Sequence, residues 1–270
     1  MNFRTLEISN PAFSPEGMQC VTVKSAALGQ RADVSIYLAP EFSHLRNLPI
    51  VTLLHGVYGS HWSWSYQGGA HLTAAERMRQ GSICPMVLVM PSDGLWGDGS
   101  GYVKHTHQDF ERWIVQEVPE IAQQACASCS KDSSQFIAGL SMGGFAALRL
   151  AAKYPTTYKA AAAHSAVTEV SQLASLIEES ISHWSHEASS TSVLGAIQSA
   201  QQTLPELRFD CGHSDVLISA NRQLHQSLMA LGIAHEYEEF EGSHNWDYWQ
   251  THLVDTLNFF SRILKKHSDS

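Results

Sequence analysis

Basic residues are in short supply: 17 Lys and Arg stand against 26 Asp and Glu, which leaves a formal net charge of −9 over 270 residues. A chain with no basic stripe has nothing to neutralise a phosphate backbone, so nucleic acid is excluded as a partner. Long apolar runs are missing as well. None approaches the roughly 20 residues that a helix needs to cross a bilayer, and no membrane association is expected. The opening Met1-Asn2-Phe3-Arg4-Thr5-Leu6-Glu7 has neither the basic cluster nor the apolar stretch of a secretory signal, so the expected location is cytoplasmic. Cysteine is sparse and odd in number: Cys20, Cys84, Cys126, Cys129 and Cys211 cannot all pair within one chain, which suits a reducing compartment. Cys126-Ala127-Ser128-Cys129 has redox or half-zinc spacing, but no second Cys or His pair follows at finger-like distance, and incidental thiols are expected. The histidines are scattered without H-E-x-x-H or a comparable helical spacing. Neither a metal nor a cofactor is expected. No repeat or low-complexity segment marks a boundary, so residues 1–270 read as one domain.

Against these absences stand short apolar runs rich in Val, Ile and Leu. They are Cys20–Val23, Val34–Leu38, Ile50–Leu54, Met86–Met90, Phe136–Ala138, Lys159–Ala163, Leu207–Phe209 and Glu236–Phe240. The central ones lack polar alternation, as strands covered on both faces do. Helical patterns separate them at about 70–80, 108–127, 145–153, 219–231 and 246–265. This alternation predicts an α/β fold, a mostly parallel sheet with helices on both faces. The first two runs have no helix between them and should form an antiparallel edge. One segment breaks the rhythm: 168–203, after the sixth predicted strand, is helix-prone and rich in Ser, Glu and Gln. It reads as an insertion over the carboxyl edge of the sheet, either a lid on the substrate path or a solvated helical excursion.

The most specific signal is Gly139-Leu140-Ser141-Met142-Gly143, between the run ending at Ala138 and a helix beginning near Phe145. A serine held on a sharp strand-to-helix turn, among small neighbours and at a helix N-terminus, is poised as a nucleophile. Such a hydroxyl needs a base and a group to orient it. Asp215, just past a strand end, and His244, after the last strand and before a helix, supply both in the order Ser, Asp, His. Asp210 is the rival orienter, though a residue within a strand should point into packing. His55, His164 and His213 are rival bases. The developing oxyanion needs backbone donors. The Met142 amide follows the nucleophile, and His55-Gly56-Val57-Tyr58-Gly59 offers the Val57 amide, with Gly56 as the alternative. Tryptophans gather near these loops, and Gly56, Tyr58, Trp62, Trp96 and Trp246 are candidate substrate-binding residues. Trp246 and Trp249 share a helical face that also suits packing. Asp93–Gly101 has some of the spacing of a calcium loop but lacks the terminal glutamate, and reads as a Gly-rich turn.

Leu54-His55-Gly56, Gly139–Gly144, the D-x-G-x-x-D run from Asp210 to Asp215 with Asn221-Arg222 beyond it, and Gly242–Trp249 together resemble the putative-esterase family of α/β-hydrolases. That family includes esterase D, tributyrin esterases, feruloyl and acetylxylan esterases and mycolyltransferases. The resemblance covers about 48–264 and implies carboxylic-ester hydrolysis without a cofactor. It also implies Ser141, Asp215 and His244 as the triad, with the Val57 and Met142 amides as oxyanion donors. Two departures stand out. S-formylglutathione hydrolases usually carry a cysteine soon after the HG pair, where this chain reads Val57-Tyr58-Gly59-Ser60-His61, which demotes that thioesterase activity. The turn after the sixth strand reads His164-Ser165-Ala166 where the family more often has Ser-Gly, which leaves the role of His164 open. The expectation is a serine carboxylesterase acting on short-chain acyl or small aryl esters. An acyltransferase with the same triad and a non-catalytic binding module are the alternatives. The partner is a small-molecule ester; the oligomeric state is open, a homodimer included.

Overall fold

The computed structural model describes residues 2–200 and 204–268. Its strands are β1 (Phe3–Ile8), β2 (Met18–Ser25), β3 (Arg31–Tyr37), β4 (Ile50–Leu54), β5 (Val87–Pro91), β6 (Gln135–Leu140), β7 (Tyr158–His164), β8 (Glu206–Gly212) and β9 (Glu236–Phe240). They form one sheet in the order β1-β2-β3-β5-β4-β6-β7-β8-β9. The strands β4 to β9 run parallel, and β1, β2 and β3 join antiparallel at one edge. The helices are α1 (Ser63–Tyr66), α2 (Ala70–Arg79), α3 (Phe110–Arg112), α4 (Val118–Ala125), α5 (Met142–Lys153), α6 (Val170–Leu173), α7 (Ala188–Thr191), α8 (Val193–Ser199), α9 (Ile218–Ala230) and α10 (Trp246–Ser268).

The unalternating runs behave as their composition requires. Every residue of β4 and β5 is buried, because helices cover the sheet on both faces. On one face α2 and α10 bury Ala74, Met78, Leu253, Leu257 and Phe260 against Val51, Leu53 and Phe136. On the other, α4, α5 and α9 bury Ile121, Phe145, Leu148 and Leu224 against Ile50, Val89 and Ile137.

Two features depart from the expected pattern. The antiparallel edge has an extra outer strand, β1, pairing with β2; only Phe3 of its residues is buried, so its apolar signature is weak. The predicted helix at 108–127 is interrupted between α3 and α4 by a π turn, Trp113–Glu117. Pro119 explains the widening, since it has no N–H to donate and its ring crowds the preceding turn. No helix among the described residues is long and apolar enough to cross a membrane.

The segment 168–200 leaves the end of β7 and carries α6, α7 and α8; residues 201–203 of the expected insertion lie outside the described residues. It buries Val170, Leu173, Trp184, Val193, Ala196 and Ile197, and α8 packs on α5. The Thr106 amide donates to the His183 carbonyl at 2.9 Å, and the Ser185 amide to the Lys104 carbonyl at 2.8 Å. These ties fasten the segment to the loop that follows β5.

Candidate active site

Ser141 occupies the turn between β6 and α5 with φ 52° and ψ −117°, a conformation that costs a non-glycine residue energy and persists only when its surroundings enforce it. They do so by close approach. A Cβ on Gly143 would lie 2.3 Å from the Leu54 carbonyl oxygen, and one on Gly139 would lie 2.3 Å from Gly143. Only hydrogen fits at either position. The Ser141 amide donates to the His164 carbonyl at 2.9 Å, so β7 anchors the turn. The hydroxyl therefore stands at the positive end of α5.

The three expected partners converge. Ser141 Oγ lies 3.0 Å from His244 Nε2, and His244 Nδ1 lies 3.0 Å from both carboxylate oxygens of Asp215. The Asp215 side chain is fully buried and that of His244 is 23 % exposed, so the imidazole alone reaches the outside. Burial raises the Asp215 pKa, but hydrogen bonds from His244, Ser165 and the Leu217 amide outweigh it and hold the carboxyl below its ordinary value. The group is thus an anion facing Nδ1, which fixes that nitrogen as the proton donor and leaves Nε2 as the acceptor for the serine proton.

The rival assignments fall elsewhere. His164 and Asp210 are fully buried and pair with each other at 2.9 Å. His164 also meets Thr256 at 3.0 Å, while Asp210 accepts from Tyr248 at 2.9 Å and from Arg208. His213 is largely exposed beside Glu239 and Glu241. His55 is buried, with Nδ1 2.7 Å from the Gly56 carbonyl and Nε2 accepting from the Asp93 amide at 3.1 Å. Nε2 must be the lone-pair nitrogen, so Nδ1 carries the proton and braces the loop.

That loop lies against Ser141. A Cβ on Gly56 would come within 3.3 Å of Ser141 Cβ. Among the described residues, the amides of Val57 and Met142 have no protein acceptor. Two unspent donors flanking a serine hydroxyl are what an oxyanion requires.

A cavity of about 370 Å³ opens on Ser141 and His244, walled by Val57, Tyr58, Leu140, Leu176, Trp246 and Trp249, with Gln67 as a polar neighbour. Of the expected substrate-binding residues, Gly56, Tyr58 and Trp246 line it. Trp62 and Trp96 do not, which corrects both. Trp62 precedes α1 with 39 % of its surface exposed. Trp96 packs edge-on against His105 and Trp184, at centroid distances of 4.6 and 6.1 Å, beneath the insertion. Trp64 is buried and donates to the Leu54 carbonyl. The Asp93 carboxylate accepts from the amides of Leu95 and Ser100, so it organises the Gly-rich turn. Sequence reasoning did not find Gln67 or Leu176, whose place at the wall depends on chain packing that no motif encodes. The helical face of Trp249 is expected to pack; the ring packs, 7 % exposed, and also lines the cavity, edge-on to His244 at 5.0 Å.

The model of the family described as Putative esterase matches residues 25–260. The chain belongs to that family. It is an esterase of the α/β-hydrolase fold. An acetyl esterase from Caldicellulosiruptor saccharolyticus is 25 % identical, aligning over 80 % of this chain and 85 % of its own length. Among solved structures, a ferulic acid esterase superposes with a TM-score of 0.79 at 22 % identity, over 91 % of this chain and 98 % of that one. An S-formylglutathione hydrolase from Agrobacterium tumefaciens superposes with a TM-score of 0.76 at 19 % identity, over 98 % and 100 %.

Proposed function

We propose that Ser141 is the nucleophile, His244 the general base and then acid, and Asp215 the group that orients it. The observation that carries this reading is the unbroken chain of contacts from Asp215 through both nitrogens of His244 to Ser141 Oγ, each 3.0 Å. Ser141 Oγ attacks the ester carbonyl while Nε2 takes its proton, and the carbonyl electron pair moves onto oxygen. The Val57 and Met142 amides bind that oxyanion; removing one such donor typically costs about 3 kcal/mol of barrier. As the intermediate collapses, the proton on Nε2 passes to the departing alcohol. Water then attacks the acyl carbon while Nε2 takes its proton, and as the second intermediate collapses that proton returns to Ser141 Oγ and the acid is released.

The cavity supports short acyl chains or a small aryl group as substrate. Its walls are aromatic and aliphatic, and Tyr58 closes one side by donating its hydroxyl to the Leu176 carbonyl of the insertion. In this reading the described part of the insertion, 168–200, acts as a fixed lid, setting how much acyl chain fits. The absence of any disulfide among five free cysteines supports a cytoplasmic setting. A p-nitrophenyl ester series tests the proposal: kcat/KM should peak between acetate and butyrate, with a burst of p-nitrophenol equal to the enzyme concentration. A maximum at dodecanoate, or no burst at any length, would contradict it.

A further inference from the structure

An aromatic residue, Tyr58, stands where a tight turn ordinarily takes glycine. The Gly59 amide donates to the Gly56 carbonyl at 3.3 Å, and Tyr58 has φ 61° whereas the φ of Val57 is not positive. This is the pattern of a type II turn, whose third position favours glycine; a bulky side chain there is strained and persists only where its surroundings enforce it. Tyr58 is held from two sides. Its amide donates to the Asp98 carbonyl at 2.7 Å, and its hydroxyl donates to the Leu176 carbonyl. Asp98, in the loop that follows β5, also reaches the insertion. Its carboxylate accepts from the Glu178 amide at 2.9 Å, and its own amide donates to the Glu179 carboxylate at 3.1 Å. Gly97 makes room for that last group, since a Cβ there would lie 2.1 Å from it.

We infer that Tyr58 and Asp98 are positioning residues for the reaction: with the insertion they close a circuit of contacts that fixes where the Val57 amide points. The circuit runs from the Tyr58 amide to Asp98, through its carboxylate to Glu178, and back from the Leu176 carbonyl to the Tyr58 hydroxyl. Tyr58 is 69 % exposed, so burial of its ring does not hold the turn in its strained shape and these ties must. Val57 lies between Gly56 and Tyr58, and its N–H moves with the turn. Once the circuit is open, Tyr58 can relax toward negative φ, and the Val57 amide swings off the oxyanion it is to bind. His55 braces the near side of the turn alone, through the Gly56 carbonyl. The Met142 amide belongs to the first turn of α5, outside the circuit, so opening it weakens the oxyanion site without abolishing it.

This inference rests on the triad and oxyanion reading above, and the test separates the two. Active sites are counted by stoichiometric labelling with a p-nitrophenyl phosphonate, and kcat and KM for p-nitrophenyl acetate are then expressed per labelled site. Tyr58→Phe keeps the aromatic ring and loses only the tie to Leu176. It should lower kcat about fivefold, a fraction of the loss of about a hundredfold or more that follows outright removal of an oxyanion donor, with KM within about twofold. Asp98→Ala should do the same, and Asp98→Asn, which keeps an oxygen for the Glu178 amide, should recover most of that loss. Because both cuts open one circuit, the double variant Tyr58→Phe/Asp98→Ala should lie close to either single variant rather than at their product, about twenty-fivefold. If Asp98→Ala yields few labelled sites, Tyr58→Phe decides alone. Wild-type kcat per site in Tyr58→Phe, losses that multiply in the double variant, or no recovery in Asp98→Asn would overturn the inference. Failure of the wild-type protein to label would instead overturn the triad.

Discussion

Two histidine–aspartate pairs lie at the carboxyl edge of this sheet, and in only one of them does the imidazole meet the Ser141 hydroxyl. His164–Asp210 and His244–Asp215 have nearly the same Nδ1-to-carboxylate distance, 2.9 and 3.0 Å. They differ in what the other imidazole nitrogen meets. His164 Nε2 meets the Thr256 hydroxyl in the core, and Asp210 is held by Arg208 and Tyr248 as well. His244 Nε2 meets Ser141 Oγ at the rim of a cavity. Under the proposed function, the same chemical pair is a structural cross-link when every atom is engaged, and an acid–base device when one nitrogen is left to a serine hydroxyl.

Substitution separates the two pairs most widely in activity. His244→Ala should cut kcat about a thousandfold or more with little change in unfolding midpoint. His164→Ala should keep kcat within about tenfold and lose its stability instead; paired steady-state kinetics and urea unfolding check both. The next effect is Asp210→Asn, which leaves the buried Arg208 guanidinium without its main counter-charge. It should cost about 3 kcal/mol of stability by denaturant titration.

A third buried charge cluster extends the comparison to pH. Burial raises the pKa of Glu111, but Arg149, Lys153 and Tyr154 outweigh it and pull the carboxyl down to about 2. A carboxylate depressed in the folded state contributes stability that is complete above its unfolded pKa, near 4.3, and is lost as pH falls toward the folded value. Glu111→Gln should therefore lower stability at neutral pH by about 3 kcal/mol. It should also flatten the fall in thermal midpoint between about pH 5 and 2, with kcat per labelled site unchanged. The smallest effect belongs to the cavity wall. Leu176→Ala should raise the hexanoate-to-acetate ratio of kcat/KM a few-fold, on the order of 1 kcal/mol, while His164→Ala leaves that ratio alone.

The convergence of Ser141, Asp215 and His244 was legible in the sequence and the contacts of His164 and Asp210 were not. Ser141, Asp215 and His244 announce themselves because a strained nucleophile turn demands small neighbours and because strand ends punctuate the chain. His164 and Asp210 lie inside strands, where the side chain's neighbours depend on register: His164 stands opposite both Leu140 and Asp210 in the sheet. Pattern alone could say that Asp210 points into packing, not that Arg208, Tyr248 and His164 would meet it there. The parallel sheet was readable from unalternating apolar runs. The edge strand Phe3–Ile8 was not, since a strand with one buried residue carries almost no hydrophobic period. Trp96 misled for a related reason: proximity in sequence to a Gly-rich turn does not say which side of that turn the ring will pack on.

The most direct test of the central claim is intact-mass measurement after exposure to a p-nitrophenyl phosphonate, run on the wild-type protein and on Ser141→Ala, His244→Ala and His164→Ala. One adduct per chain on the wild type and on His164→Ala, located at Ser141, with none on Ser141→Ala and little on His244→Ala, is the predicted result. Full labelling of Ser141→Ala, or a His164→Ala protein that is folded yet as unreactive as His244→Ala, would contradict it.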